Sequence, residues 1–350
     1  MKKNTAARLG AALALCATGT VFAQAPSTNV TIYGLVDAAA RHASNVDAAR
    51  NSRKTLEDGI MTGTRLGLRL REDLGGGWAA LMIIESGFDP STGLSLQGAA
   101  TTDYGQFASS TRYWGREAHI ALRTPWGSAT FGRQYTVAHA LAGRFQPLGN
   151  PNSTAHSLFS SHHVPRNDNM LRLDTKLAAV DLSISHTFGE QSSGGNGGRA
   201  VGIGHTGKGW AVGAYHQQLD NVANTETRKI VGLGGNYKVN GTLHLYGGLM
   251  KRTTRVSPQE NAAWTLGANV ELMPQVTLSV AHYDDDQSGS AALQGQRTVS
   301  WLTASYRFSR RTDVYAVLDR NEVSGGYARP AFMGTLGTQN GLVLGLRHRF

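Results

Sequence analysis

Gly341-Leu342-Val343-Leu344-Gly345-Leu346-Arg347-His348-Arg349-Phe350 closes the sequence, and its alternation governs how the rest is read. Strand side chains point to opposite faces with a period of two, so Leu342, Leu344, Leu346 and Phe350 share one side. A strand that is apolar on one face and stops on an aromatic residue suits the wall of a closed barrel in a bilayer. The outer face must be apolar there, and aromatic rings settle at the lipid–water boundary. The last strand of a soluble β-protein reads the same way over so short a stretch, so the other segments have to discriminate.

Working back through the chain, the same alternation recurs. It runs through Val30/Ile32/Val36, Leu66/Leu68/Leu70, the 78–88 run, 112–123, 128–135, 166–176 and Leu182/Ile184/Phe188. It continues through Val201/Ile203, Trp210/Val212/Ala214, Val231/Leu233/Tyr237, Leu243/Leu245/Leu249 and Trp264/Leu266/Ala268/Val270. Val276/Leu278/Val280, Leu302/Ala304/Tyr306/Phe308, Val314/Ala316/Leu318 and the terminal segment bring the count to sixteen. Each has about ten residues, the length a tilted strand needs to cross the hydrocarbon layer. The connections alternate too. Short ones such as 73–77, 124–127, 207–209 and Asn240-Gly241 carry the Gly, Asn and Pro chemistry of hairpin turns. Long polar ones fall at 41–61, 89–111, 136–165, 189–198, 219–228, 252–261, 284–297 and 321–339. Short turns at one end and long loops at the other predict an all-β, sixteen-stranded antiparallel transmembrane barrel, with the turns on the periplasmic side.

The N-terminus agrees with export. Lys2, Lys3 and Arg8 precede the apolar run from Leu9 to Val21, and Ala23-Gln24-Ala25 offers a small-residue cleavage site. Residues 1–25 are therefore read as a signal peptide and 26–350 as one barrel domain. The single cysteine, Cys16, lies inside the signal; Leu15 before it makes a lipid-attachment site a poor alternative. The mature part then holds 31 Lys and Arg against 24 Asp and Glu. These charges are spread along strands rather than run together, and an exported chain does not routinely meet nucleic acid, so no nucleic-acid partner is expected. Gly is abundant at 43 residues, Pro scarce at 9, and mean hydropathy is −0.27. Apolar residues sit at every second position instead of in long runs.

The segments 30–37 (VTIYGLVD), 64–69 (TRLGLR), 72–77 (EDLGGG), 85–88 (ESGF) and 131–135 (FGRQY), with the final Phe350, resemble the general diffusion porins of Gram-negative outer membranes. The front third carries the specific matches and the later strands follow the pattern. The resemblance implies a sixteen-stranded homotrimer in outer-membrane lipid that passes small hydrophilic solutes and ions without a cofactor. Its long third loop would fold inside the barrel and narrow it opposite a basic wall, and loop 89–111 would reach a neighbouring subunit. Small outward residues near the first strands (Gly34, Ala38, Ala40, Ala118) suit packing against protein.

Pore selectivity rests on charges at the narrowest part. Arg65, Arg69 and Arg71 take the face opposite Leu66, Leu68 and Leu70, and arginines facing hydrocarbon would cost about 2–4 kcal/mol each at the midplane. They are expected in the lumen. Arg166, opposite in parity to Leu171 and Leu173, is expected inward as well, with Asp168 beside it; Asp37 and Asp174 are further lumen candidates. Arg116 shares parity with Ala118, Ile120 and Leu122, which turns it outward. The resemblance instead puts it inside, with Glu117, His119 and Ala121 outward, and that arrangement is adopted. The third loop contains Arg144 and four histidines but no Asp or Glu, whereas many family members carry acids there. A constriction of Arg65, Arg116, Arg166 and Arg144 is therefore expected to lack compensating carboxylates and to prefer anions.

Three other patterns are set aside. Gly202-Ile203-Gly204-His205-Thr206-Gly207 spells a dinucleotide motif but leads into a turn rather than a helix. His162-His163 does not converge on a metal and is read as solvated loop. Asp284-Asp285-Asp286 reads as three solvated acids in a rim loop. The remaining alternatives are a substrate-specific channel and a barrel enzyme. No catalytic constellation can be identified from spacing, since triads are spatial.

Overall fold

The computed structural model describes residues 28–99, 101–109 and 112–350; the signal-peptide reading and the start of the barrel domain lie outside them. Among the described residues, seventeen strand segments form one antiparallel sheet, each bonded to its neighbours in chain order except the second and third. It closes where β1 (Thr28–Ala43) pairs with β17 (Thr338–Arg349), in register from Leu35↔Arg349 to Ala43↔Gly341. Closure leaves no sheet edge, which is what lets strands lie in lipid with every backbone group satisfied.

All sixteen expected crossings are present. The extra segment arises because one crossing is broken: β2 (Arg53–Asp58) and β3 (Arg65–Gly75) lie end to end along β1. Between them residues 59–64 turn inward, starting at Gly59 with φ +37°, and bury Ile60 and Met61. Asp37 holds this excursion, its carboxylate accepting the Thr62 N–H at 2.9 Å while its backbone pairs with the Thr64 hydroxyl.

The period of two sorts the strands as expected. Leu66, Leu233, Leu249, Leu266, Leu318, Leu344 and Leu346 are exposed on the outer wall. At the short-turn end stand Trp78, Trp126, Trp210, Tyr306, Phe308 and Phe350, an aromatic belt in which Trp78 and Trp126 meet edge to face at 6.1 Å. Phe350 exchanges backbone hydrogen bonds with Gly34, and its ring covers the space a Cβ on Gly34 would need. Several strands run past the apolar band into water. β14 (Val276–Ser288) and β15 (Gly295–Arg307) leave only 289–294 as loop. Asp284-Asp285-Asp286 is therefore strand, not rim loop, and its members alternate: Asp285 is fully buried inside while Asp286 is exposed.

The third loop, 136–165, enters the barrel between β6 (Gly127–Tyr135) and β7 (Arg166–Leu177). Thr136 caps a short helix, α1 (Val137–Ala142), accepting the His139 N–H, and its hydroxyl donates to the Val164 carbonyl. α1 buries Val137, Ala138, Leu141 and Ala142, and Phe145 follows, also fully buried. The wall makes room with glycines. Gly204 in β9 (Gly198–Gly207), Gly213 in β10 (Trp210–Asp220), Gly234 in β11 (Thr227–Lys238) and Gly248 in β12 (Leu243–Thr254) are paired one to the next. A Cβ on Gly234 would lie 2.6 Å from the Phe145 ring, and one on Gly248 2.8 Å from Phe145 Cβ. Farther on, the Arg297 guanidinium, Asn321 amide and Trp301 indole donate to the carbonyls of Thr154, Ala155 and His156. His156 meets Asp319 at 3.1 Å and His162 meets Asp285 at 2.7 Å.

Loop 88–116, whose 89–111 stretch is read as reaching a neighbouring subunit, also makes contacts on its own barrel. Among the described residues, its Gly105 N–H donates to Asn196, its Asp103 accepts from Val222 N–H, and Tyr104 covers the Arg228 guanidinium at 4.0 Å.

Phe145→Ala should cost about 3–5 kcal/mol, the usual loss for emptying a buried phenylalanine site, and Gly234→Val should displace the loop. Both are checked by the temperature at which the folded barrel loses its native electrophoretic mobility. On the rim, Glu226 accepts N–H bonds from Thr227, Arg255, Val256 and Ser257. Slight burial works against its charge, but these donors outweigh it and hold its carboxyl down at about 2, against an ordinary 4.5. With the folded value depressed, its contribution is complete above about pH 4.5 and disappears as pH falls toward 2. Amide exchange at Val256 and Ser257 should accelerate over that window, and Glu226→Gln should be fast at every pH.

Candidate functional site

Where the third loop leaves and rejoins the wall, its two ends carry Tyr135 and Arg166, paired across β6 and β7. The Tyr135 hydroxyl accepts from both Arg116 (2.9 Å) and Arg166, whose guanidinium also lies over the Tyr135 ring at 4.1 Å. Arg116 is 3% exposed and its Nε donates to Glu85 Oε1 at 2.6 Å. Glu85, itself buried, also accepts from Tyr33 (3.0 Å) and stands 3.7 Å from Arg65. Arg65, Arg116 and Arg166 thus converge around a carboxylate and a phenol.

That carboxylate corrects the expectation of an uncompensated constriction. The third loop is acid-free, but the wall supplies the acids. Glu85 pairs with Arg116, and Asp181 of β8 (Val180–Thr187) holds Arg144 at 2.9 Å and Lys176 at 3.6 Å. Among the described residues, no carboxylate lies within ion-pair distance of Arg166. Glu85 was within reach of sequence reasoning. The tight turn after β3 sets the register of β4 (Trp78–Gly87), which puts Glu85 opposite Gly67, between Arg65 and Arg69. Apolar residues on both faces of β4 hid its orientation.

Arg116 also resolves differently from the choice posed by parity. It sits on a bend just before β5 (Glu117–Thr124), so strand counting does not apply to it. It points inward, and so do Glu117, His119 and Ala121, which pair with the inward Glu85, Ile83 and Leu81. Ala118, Ile120 and Leu122 take the outside. The outward placement of Glu117, His119 and Ala121 is wrong; Glu117 and His119 instead pair with each other at 3.0 Å.

Asp168 does not line the channel. Between Gly132 and Gln134 the β6–β7 register shifts, with Asn169 at φ 48°, and this bulge resets parity. Asp168 is held by Arg112 (2.7 Å) and by Arg133 (2.9 Å), which stands opposite the outward Ala118, and it accepts the Phe107 N–H from loop 88–116. Arg69 and Arg71 do face the lumen. Arg69 lies 5.1 Å from the Tyr33 ring centre, and neither arginine has an ion-pair partner among the described residues. Asp174 is occupied by Arg172 at 2.8 Å.

His156, His162 and His163 are buried and His139 is half-buried, not solvated. His139 Nδ1 lies 3.2 Å from His163 Nε2, and the His139 ring stacks on Tyr135 at 5.0 Å. Burial pushes His163 down to about 3, His139 well below the ordinary range, and His162 down despite Asp285. These three stay neutral near pH 7, and Arg144 carries a permanent charge on the loop.

A closed β-barrel in which the chain's own third loop narrows a basic lumen defines a porin-type outer-membrane channel. The model for Gram-negative porins matches residues 11–326, and the chain belongs to that family. An outer membrane porin protein of Bordetella pertussis is 30% identical over 177 residues, covering 46% of this chain and 43% of that protein, so the match spans less than half of the relative's length. In fold, the chain is similar to an anion-selective porin from Comamonas acidovorans (TM-score 0.76, 19% identity, 93% of this chain and 100% of that one). It is also similar to the trimer form of OmpT, an outer membrane protein of Vibrio cholerae (0.68, 12%, 93% and 100%). The outer membrane channel DcaP of Acinetobacter baumannii matches at 0.65, with 15% identity over 93% of this chain and 98% of that one.

Glu85→Gln should destabilise the barrel by about 3–5 kcal/mol, because it leaves the buried Arg116 without its counter-charge. Denaturant unfolding followed by tryptophan fluorescence measures this.

Proposed function

We propose that this protein is a homotrimeric outer-membrane channel through which small hydrophilic solutes and ions diffuse passively, with a preference for anions. No chemical step and no cofactor is assigned to it. The observation that carries the preference is Arg166, a partly exposed guanidinium at the root of the constricting loop that is bonded to a phenol instead of a carboxylate. Arg65 adds a partly shared charge, while Arg116 and Arg144 are largely neutralised by Glu85 and Asp181. A lumen walled by low-dielectric protein and lipid focuses this field, and ions must pass it within a Debye length of about 8 Å. The acids present make the expected outcome a preference rather than exclusion of cations. The anion selectivity printed for the Comamonas acidovorans porin supports the same reading.

For assembly, Gly34, Ala38, Ala40 and Ala118 present a small-residue outer surface on β1 and β5 that suits subunit contact. The trimer form of the Vibrio cholerae protein supports it. The flat wall is the proposed interface, and loop 89–111 the proposed reach onto the neighbouring subunit.

In a planar bilayer with asymmetric KCl, the reversal potential should report chloride preference. Arg166→Ser should lower the chloride-to-potassium permeability ratio about tenfold, because one charge roughly 6 Å away in a water-like dielectric shifts each ion about threefold and in opposite directions. Arg116→Ser should change it less. Cation selectivity of the unmodified protein would overturn the preference and leave the barrel intact.

A further inference from the structure

The lumen carries an apolar strip that a channel for hydrophilic solutes does not need. On β4, Leu81 and Ile83 point inward, because they pair with Arg71 and Arg69 on one side and with Ala121 and His119 on the other. Both are partly exposed, and neither belongs to the buried core that the third loop forms with the wall. Together with Ala121 and Arg123 they line a cleft of about 510 Å³ on the short-turn side of the loop, whose far wall carries Asp174 paired with Arg172 and Asp181 paired with Arg144. The strip is bordered by cations. Arg69 and Arg71 flank it on β3, and Arg123, paired with Ala79, flanks it on β5. None of the three has an ion-pair partner among the described residues. The nearby Glu117 shares a hydrogen bond with His119 at 3.0 Å and is the carboxylate that an anion here has to tolerate. Paired residues on adjacent strands stand about 5 Å apart, so an anionic group on Arg69 or Arg71 places an attached body over Leu81 and Ile83.

We propose that this strip is a binding subsite for small organic anions that carry an aromatic or aliphatic body next to a carboxylate. The inference rests on the channel reading above and adds a solute class to it. Each half of the site has a separate physical task. The free guanidiniums hold the carboxylate by charge-assisted hydrogen bonds, and the aliphatic strip releases water when the body covers it. Chloride and acetate engage only the first half.

The test uses the full-length protein in planar bilayers, with KCl reversal potential measured first and benzoate or acetate then titrated from the side of the short turns. Benzoate should reduce chloride current saturably, with an apparent affinity about fivefold above that of acetate, the ratio that covering roughly 40 Å² of ring implies. Leu81→Ser with Ile83→Ser should abolish that ratio and leave the reversal potential unchanged. Arg69→Ser with Arg71→Ser should weaken both anions. Equal affinities for benzoate and acetate in the unmodified protein would overturn the subsite without any variant, while anion preference in KCl stands. A benzoate-to-acetate ratio that survives the serine pair would overturn it as well. Cation selectivity in KCl would show instead that the channel reading itself had failed.

Discussion

The third loop can lie inside the barrel because the wall it rests on has no side chains there. Gly204, Gly213, Gly234 and Gly248 pair in sequence across four neighbouring strands and clear a shelf for α1 and Phe145. Glycine in a strand costs roughly 0.5–1 kcal/mol relative to alanine. Burying Val137, Leu141 and Phe145 returns about 1.5–3 kcal/mol for each large side chain, so the shelf is favourable only while the loop occupies it. The polar anchors at 154–156 and at His162 then fix its far end. The constriction depends on this seating, because Tyr135 and Arg166 are the residues at which the loop leaves and rejoins the wall.

Seating the loop removes water from several ionisable groups, and their partners follow from that. A buried guanidinium such as Arg116 persists only with a counter-charge, which Glu85 provides. Arg166 is less deeply enclosed and is stabilised by the Tyr135 hydroxyl and ring face. One arginine is thereby a structural pin and the other an available charge, although both meet the same phenol. His139, His162 and His163 avoid the same penalty by remaining neutral.

Much of the fold was legible because a barrel wall repeats one local rule. Every expected crossing is found, Leu66, Leu68 and Leu70 face outward, and Arg65, Arg69 and Arg71 face the lumen. The misreadings cluster where the ladder is irregular or extends beyond lipid. Residues 53–58 were assigned to a loop because the inward turn at 59–64 interrupts their crossing. Asp168 was placed in the lumen by counting through a bulge. Asp284-Asp285-Asp286 was taken as rim loop because polar residues on both faces erase the alternation where the strand rises into water. The glycines of 202–207 resembled a phosphate-binding spelling. Gly202 and Gly204 in fact clear wall space beside Val137, Leu141 and Arg144.

By itself, the sequence determined the number of crossings, the outward faces and the alternation of turns and loops. Each depends on residues two apart, or on turn chemistry within a few positions. Only the tertiary structure decided which charges remain available in the lumen. Glu85 reaches Arg116, Asp181 reaches Arg144, and Asp319 and Asp285 reach His156 and His162, through register between strands and the path of a loop across the interior. A single bulge reverses the facing of every residue beyond it. Those pairings are therefore properties of the closed barrel and its seated loop, not of any local segment.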